Sequence, residues 1–208
     1  MRIKGNELRF DCLYSYFSYL IYRYLYMARV AINGFGRIGR TFLRSAFGNP
    51  AIEVVAINDL GSLENLAYLL KYDSVYGRAP FSVEVGENKL MVDGKEIAFV
   101  QERDPEQLPW GDMNIDIVVE STGFFTKYED AKKHLVAGAK KVVISAPSKD
   151  DPVAAGVNGA TVLVGVNDDQ LATCDISSNG SCTTNATSPL VAILKEEIGI
   201  EKAILNTV

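Results

Sequence analysis

Histidine is almost missing from this chain: His134 is the only one in 208 residues. It stands in a Lys-Lys-His-Leu stretch with helical spacing, and the flanking lysines predict a solvated side chain on a surface helix. Cysteine is scarce as well. Cys12, Cys174 and Cys182 show neither metal-ligand spacing nor a disulfide framework, and an odd count fits a reducing compartment, so a cytoplasmic location is expected and no metal. A basic surplus is also absent. Lys and Arg number 21 against 26 Asp and Glu, for a net charge of −5. No basic stripe interleaves with aromatics, so nucleic acid is not an expected partner.

Nor is there an apolar run of the about 20 residues a membrane span needs. The nearest approach, LYSYFSYLIYRYLY at 13–26, is interrupted by Arg23 and followed by no signal-peptide cleavage pattern. It holds six of the ten tyrosines and differs from everything after it. A clean strand pattern starts at Met27, which marks residues 1–27 as an extension: an upstream stretch carried into the chain, an interfacial amphipathic helix or, third, a membrane anchor. Internal repeats and low-complexity linkers are absent too.

What remains is ordinary globular composition, 48% hydrophobic and 23% charged, enough for a packed core. From residue 29 short apolar runs alternate with helical ones, which predicts βαβ units and a mostly parallel sheet. Strands are expected at 29–33, 54–58, 115–120, 141–145 and 162–166, helices at 38–47, 63–71 and 127–137. A small antiparallel meander is expected at 81–85, 89–92 and 95–100, and a last strand at 202–208.

Two motifs carry chemistry. The first is NGFGRIGR at 33–40, a G-x-G-x-x-G directly after a strand and opening a helix. Gly34 permits the tight turn, Gly36 lets a pyrophosphate approach the backbone, and Gly39 lets helix and strand pack closely. The helix N-terminus then receives the anion. Asp59 lies 20 residues after Gly39 at the end of the next strand, where a carboxylate accepts hydrogen bonds from an adenosine ribose. It would repel a 2′-phosphate, and Leu60-Gly61-Ser62 supplies no compensating arginine, so NAD is expected rather than NADP. The second motif is SNGSCTTN at 178–185, which sets Cys182 among small polar residues where an apolar-periodic helix begins. A helix start leaves N–H groups unpaired and carries partial positive charge, which favours a thiolate nucleophile. A helix cap with a structural cysteine is the alternative.

Taken together with IND at 57–59, LLKYDSVYG at 69–77, ERDP at 102–105, STGFF at 121–125 and AGAKKVVISAPSKD at 137–150, these motifs resemble, in order, the N-terminal part of phosphorylating glyceraldehyde-3-phosphate dehydrogenases. The resemblance runs from about residue 27 to 208. It departs at Gly180, where the family usually has Ala, and at Ala186, where it has a second Cys that is not the nucleophile.

That resemblance implies an α/β Rossmann fold, doubly wound around a mostly parallel sheet at 28–177, followed by the incomplete start of an α+β catalytic domain at 178–208. It implies that Arg37 and Ile38 contact the pyrophosphate through their backbone, and that Asp59, Arg103 and Ser145 bind further parts of NAD. Thr122 and Gly123 would line the path to the nicotinamide. Ser181 and Thr183 would help bind inorganic or substrate phosphate, and Cys182 would attack the aldehyde of glyceraldehyde 3-phosphate. The family's thiol works with a histidine that follows a strand ending Thr-Val, the residue pair at 207–208 here. The 208 residues therefore read as a fragment without its base, inactive alone, of an enzyme that is a homotetramer at full length. An erythrose-4-phosphate dehydrogenase, or a non-catalytic NAD-binding or thiol redox module, are the alternatives.

Overall fold

Short apolar runs closed by a single polar residue, VAIN at 30–33 and 55–58 and IVVE at 117–120, set the central strands of this protein. The computed structural model describes residues 27–206; the tyrosine-rich stretch, Cys12 and the Thr207-Val208 end lie outside the described residues. Eleven strands are formed: β1 Ala28–Asn33, β2 Ile52–Asn58, β3 Tyr72–Asp73, β4 Gly77–Arg78, β5 Val83–Gly86, β6 Lys89–Val92, β7 Lys95–Val100, β8 Ile117–Glu120, β9 Lys141–Ile144, β10 Gly159–Thr161 and β11 Ile176–Ser178. Among the described residues four α-helices join them: α1 Arg37–Ala46, α2 Leu63–Lys71, α3 Tyr128–Val136 and α4 Cys182–Glu197.

Among the described residues nine strands make one sheet in the order β10-β11-β9-β8-β1-β2-β7-β6-β5, and β3 pairs with β4. The first seven of that order run parallel, while β6 and β5 add an antiparallel meander. The expected doubly wound α/β sheet is thus what the chain forms. It leaves β1 towards β2 and β7, then returns to the other side of β1 with β8. Such a reversal opens a crevice at the carboxyl ends of the strands.

Side chains alternate across the sheet with period 2 and separate two cores. Ile32 and Ile57 join one with Leu43 of α1 and Leu66 and Leu70 of α2. Ala31 and Ala56 join the other with Trp110, Tyr128, Ala131 and Val142. Both faces are covered, which is why the parallel strands read as near-continuous apolar runs. The N-terminus of α3 is closed from a distance: Asp150 accepts from the Tyr128 N–H at 2.7 Å and the Glu129 N–H at 3.1 Å.

Three sequence expectations are corrected. Strand 162–166 forms earlier, at Gly159–Thr161, because Asn167 takes over the backbone: its Oδ1 accepts from the Leu163 N–H at 2.8 Å and its Nδ2 donates to the Thr161 carbonyl at 2.9 Å. Its neighbour β11 lies in the Ser-rich approach to Cys182, a composition with little strand signal. Residues 202–206 form no strand; nothing in the described residues pairs with them, and Ile204 is 96% exposed. His134 is not solvated but fully buried. It shares the inner face of α3 with Tyr128 and Ala131 at spacings of three, while the neighbouring lysines point outward.

Candidate functional site

The ends of the parallel strands stand in register. Asn33 lies opposite Asn58 on one side and Glu120 on the other, Glu120 opposite Ile144, and Ile144 opposite Ser178. A row of strand ends therefore runs from the Asp59 corner to the Cys182 corner along one edge of the sheet. From β2, which runs into Asp59, to β11, which runs towards Cys182, is four strand spacings, about 19 Å.

At one end of the row the glycine turn is built as the motif requires. Gly34 has φ +91°, and a Cβ there would lie 2.6 Å from the Thr122 nitrogen. A Cβ on Gly39 would lie 2.2 Å from the Gly34 carbonyl oxygen, so helix α1 and the turn touch. Gly36 differs: it is the N-cap of α1, nothing lies within 4 Å of where its Cβ would be, and no side chain caps the helix. The first N–H groups of α1 are thus left for an anion, with no acidic residue in the first turn to oppose it. Arg37 and Ile38 open the helix with exposed side chains. Asp59 closes the corner. Its Oδ2 accepts from the Phe35 N–H at 2.7 Å and its Oδ1 from the Gly61 N–H at 2.8 Å, so the carboxylate is fixed against the turn with lone pairs to spare.

A cleft of about 570 Å³ opens here, lined by Gly34, Gly36, Asp59, Arg103, Thr122 and their neighbours. Its size, apolar walls and few fixed polar groups fit a dinucleotide. Arg37, Ile38, Gly39, Gly123 and Ser145 are not part of its wall. Gly39 lies behind the turn, and Ser145 sits one strand further along, its N–H donating to the Glu120 carbonyl at 3.0 Å.

Several residues that sequence reasoning passed over hold this cleft together. Ser121 Oγ donates to the Gly34 carbonyl at 2.7 Å, bolting the β8 loop to the turn. Asn58 clasps Glu102 with both ends of its amide, Nδ2 to the carbonyl at 2.9 Å and Oδ1 from the N–H at 2.8 Å. Asn33, Asn58 and Glu120 are all buried. The signal was there: in VAIN, VAIN and IVVE, a polar residue ends a strand that is otherwise a buried apolar run.

At the other end, β11 turns into α4 through Ser178, Asn179 and Gly180. Ser178 is fully buried; its Oγ donates to the Ala146 carbonyl at 2.8 Å and accepts from the Ser148 and Gly180 N–H groups. Gly180 takes φ +68°, a conformation that favours glycine. Ser181 caps the helix, its Oγ accepting from the Thr184 N–H at 3.1 Å and meeting Thr183 Oγ1 at 2.8 Å. Cys182 is therefore the first helical residue, and it is exposed. Cys174 is buried, and burial pushes its thiol up against the pull of Lys141. The expected nucleophile and its hydroxyl neighbours are brought together, on the same sheet edge as the cleft.

Among the described residues no helix is long and apolar enough to cross a membrane. Residues 28–128 match the family described as glyceraldehyde 3-phosphate dehydrogenase, NAD binding domain. The chain is 53% identical over 182 residues to the protein named glyceraldehyde-3-phosphate dehydrogenase in Geobacillus stearothermophilus, covering 86% of this chain and 52% of that one. With the namesake in Thermotoga maritima it shares 53% identity over 185 residues, 88% of this chain and 54% of that one. With glyceraldehyde-3-phosphate dehydrogenase 1 of Kluyveromyces lactis it shares 50% over 183 residues, 88% and 53% respectively. The chain spans about half the length of these curated relatives.

Proposed function

Since the chain belongs to the glyceraldehyde-3-phosphate dehydrogenase family, whose N-terminal portion it matches, we propose that it serves the NAD-dependent oxidation of D-glyceraldehyde 3-phosphate, with uptake of inorganic phosphate, to 1,3-bisphosphoglycerate. The observation that carries this reading is the row of strand ends. Its two ends, the glycine-turn cleft and the exposed Cys182 thiol, lie on one edge of one sheet, which supports a dinucleotide laid between them.

NAD is the cofactor, and when bound it accepts the hydride. The remaining work falls to the chain. Gly36 and the first N–H groups of α1 receive the pyrophosphate, and Asp59 binds the adenosine ribose. Arg103, Thr122, Gly123 and Ser145 are assigned to the rest of the cofactor's path. Cys182 Sγ adds to the aldehyde carbon to give a hemithioacetal, whose oxygen lies near the N–H groups that open α4. Loss of hydride leaves a thioester on Cys182. Phosphate, held by Ser181 and Thr183, attacks the thioester carbon, so the acyl phosphate leaves and the thiol returns.

The hemithioacetal proton needs an acceptor. The groups hydrogen-bonded around the helix start are Ser181, Thr183, Thr184, Asn179 and Asn185, none of them a base at neutral pH. His134 is buried under the sheet and engaged there. We assign the role to a histidine outside these 208 residues. Without it, turnover falls by roughly 10²–10⁴-fold. The division into a nucleotide-binding unit at 28–177 and a catalytic portion from 178, a homotetramer at full length and a cytoplasmic location belong to the same proposal.

The test is a titration of the 208-residue chain with NAD, followed by NADH formation from glyceraldehyde 3-phosphate and phosphate. Saturable NAD binding with little NADH is expected. A chain that binds no NAD would overturn the reading, and steady NADH formation by these 208 residues alone would overturn the assignment of the base to an outside histidine.

A further inference from the structure

A carboxylate is buried directly behind the cleft, and it is fully engaged. Glu120 is 2% exposed. Its Oε1 accepts from the Thr122 N–H at 2.9 Å and from the Thr122 hydroxyl. Its Oε2 accepts from Asn33 Nδ2 at 2.6 Å and lies 3.1 Å from His134 Nε2. Two oxygens thus meet four donors, which fills the lone pairs of an ionised carboxylate. Burying such a charge is costly unless it is satisfied in this way.

The histidine's role is set from behind. The Trp110 indole N–H donates to His134 Nδ1 at 3.0 Å. That nitrogen must then be the acceptor, so the ring proton sits on Nε2 and points at Glu120. The order of dependence is explicit: the indole fixes the tautomer, the tautomer supplies the donor, and the donor fixes the carboxylate. The carboxylate in turn orients two groups that reach the cleft. One is Thr122, whose hydroxyl also accepts from the Phe124 N–H at 3.1 Å at the cleft mouth. The other is Asn33, whose Oδ1 accepts from Asn58 Nδ2 at 2.7 Å, and Asn58 clasps Glu102 on the opposite wall. Trp110 and His134 themselves line no part of the cleft.

We propose that Trp110, His134 and Glu120 form a buried positioning relay that sets the Thr122 and Glu102 walls of the cleft for the dinucleotide. The proposal rests on the NAD reading above. A core that merely satisfies its polar groups would need no path to the walls. This one reaches Thr122 and Phe124 on one side and Glu102 on the other, and Asn33 Nδ2, 3.3 Å from His134 Nε2, shares the Glu120 Oε2 acceptor with the ring.

Trp110 is the only tryptophan in the chain, so its indole N–H gives a single resonance that reports the far end of the relay. The experiment uses the full 208-residue chain and combines three measurements: NAD affinity by calorimetry, melting temperature, and the Trp110 indole resonance with and without NAD. NAD is expected to shift the indole resonance of the unsubstituted chain although Trp110 lines no part of the cleft. His134→Phe, which removes acceptor and donor, is expected to weaken NAD roughly tenfold. His134→Gln, whose amide N–H stands in for the Nε2 donor, should recover most of that loss while leaving the indole unbonded. Glu120→Gln should weaken NAD, because its amide sets a donor against donors.

An unmoved indole resonance on NAD saturation would overturn the relay with no substitution needed. So would His134→Phe with unchanged NAD affinity and only a lowered melting temperature, or equal loss in the Phe and Gln variants. Failure of the unsubstituted chain to bind NAD would instead remove the cofactor reading, and this one with it.

Discussion

Gly36→Ala separates binding from folding more cleanly than any other change in the glycine turn. Gly36 has φ −68° and no atom within 4 Å of a built Cβ, so the methyl meets no protein atom. Two small terms oppose each other in stability. Ala is a poorer N-cap than Gly by about 1 kcal/mol, while replacing Gly stiffens the unfolded chain by about 0.4–1 kcal/mol. The net is within about 0.5 kcal/mol, a melting shift of no more than about 2 °C for a chain of this size. Binding is another matter. The methyl stands where a pyrophosphate oxygen would reach the first N–H groups of α1, and losing one hydrogen bond to a charged group costs about 1.5–3 kcal/mol. NAD affinity should fall roughly 10–100-fold.

Gly34→Ala is the contrast. There φ is +91° and the Cβ would lie 2.6 Å from the Thr122 nitrogen, so left-handed strain of about 1–2 kcal/mol adds to overpacking of about 1–3 kcal/mol. Stability itself should drop. Thermal melts and calorimetric titration of both variants check the pair. Unchanged NAD affinity in Gly36→Ala would refute the assignment of the α1 N-terminus to the pyrophosphate, and equal destabilisation of both variants would refute the steric argument.

Other outcomes follow from the same geometry. Asp59→Asn should weaken NAD and narrow its advantage over NADP; an unchanged ratio of dissociation constants would mean that Asp59 does not read the ribose. Alkylation with iodoacetamide, followed by peptide mapping, should modify Cys182 well before Cys174, since one thiol is exposed and the other buried and pushed up; the reverse order would be inconsistent with an exposed Cys182 at the start of α4. Asp150→Ala should cost about 0.5–2 kcal/mol as a lost helix cap, measured by denaturant unfolding. Burial pushes the Asp150 carboxyl up, but the Glu129 and Tyr128 N–H groups and the Ser148 hydroxyl outweigh it and hold it below the ordinary carboxylate range. Its contribution is therefore fully present above the unfolded carboxylate value and lost as pH falls through the lower folded one. Unfolding of the Asp150→Ala variant should be less acid-sensitive in that window, and an identical pH profile would count against the cap.

The features most legible in the sequence were those with a strict local grammar. The glycine turn, Asp59 at the end of β2 and the helix opening at Cys182 each follow from spacing within a few residues, and the α2 bounds at 63–71 follow from periodicity alone. Illegible were features fixed by partners distant in sequence. His134 looks solvated between lysines because nothing local says that Trp110, Glu120 and Asn33 converge on its ring. Asp150 caps a helix 22 residues away. Strand β11 has weak propensity and exists because β9 and β10 flank it. The misplaced strand at 162–166 failed for the opposite reason: its residues have the propensity, but one asparagine side chain bends the backbone before they can pair.

The place of β11 in the sheet also imposes an order in time. Among the described residues strand β10 has no neighbour other than β11, yet it is synthesised first, so residues 159–161 wait unpaired until 176–178 emerge. The strands around the nucleotide corner are complete by Glu120. A growing chain can therefore assemble its nucleotide cleft well before the turn that presents Cys182, and that thiol follows the last strand to lock into the sheet.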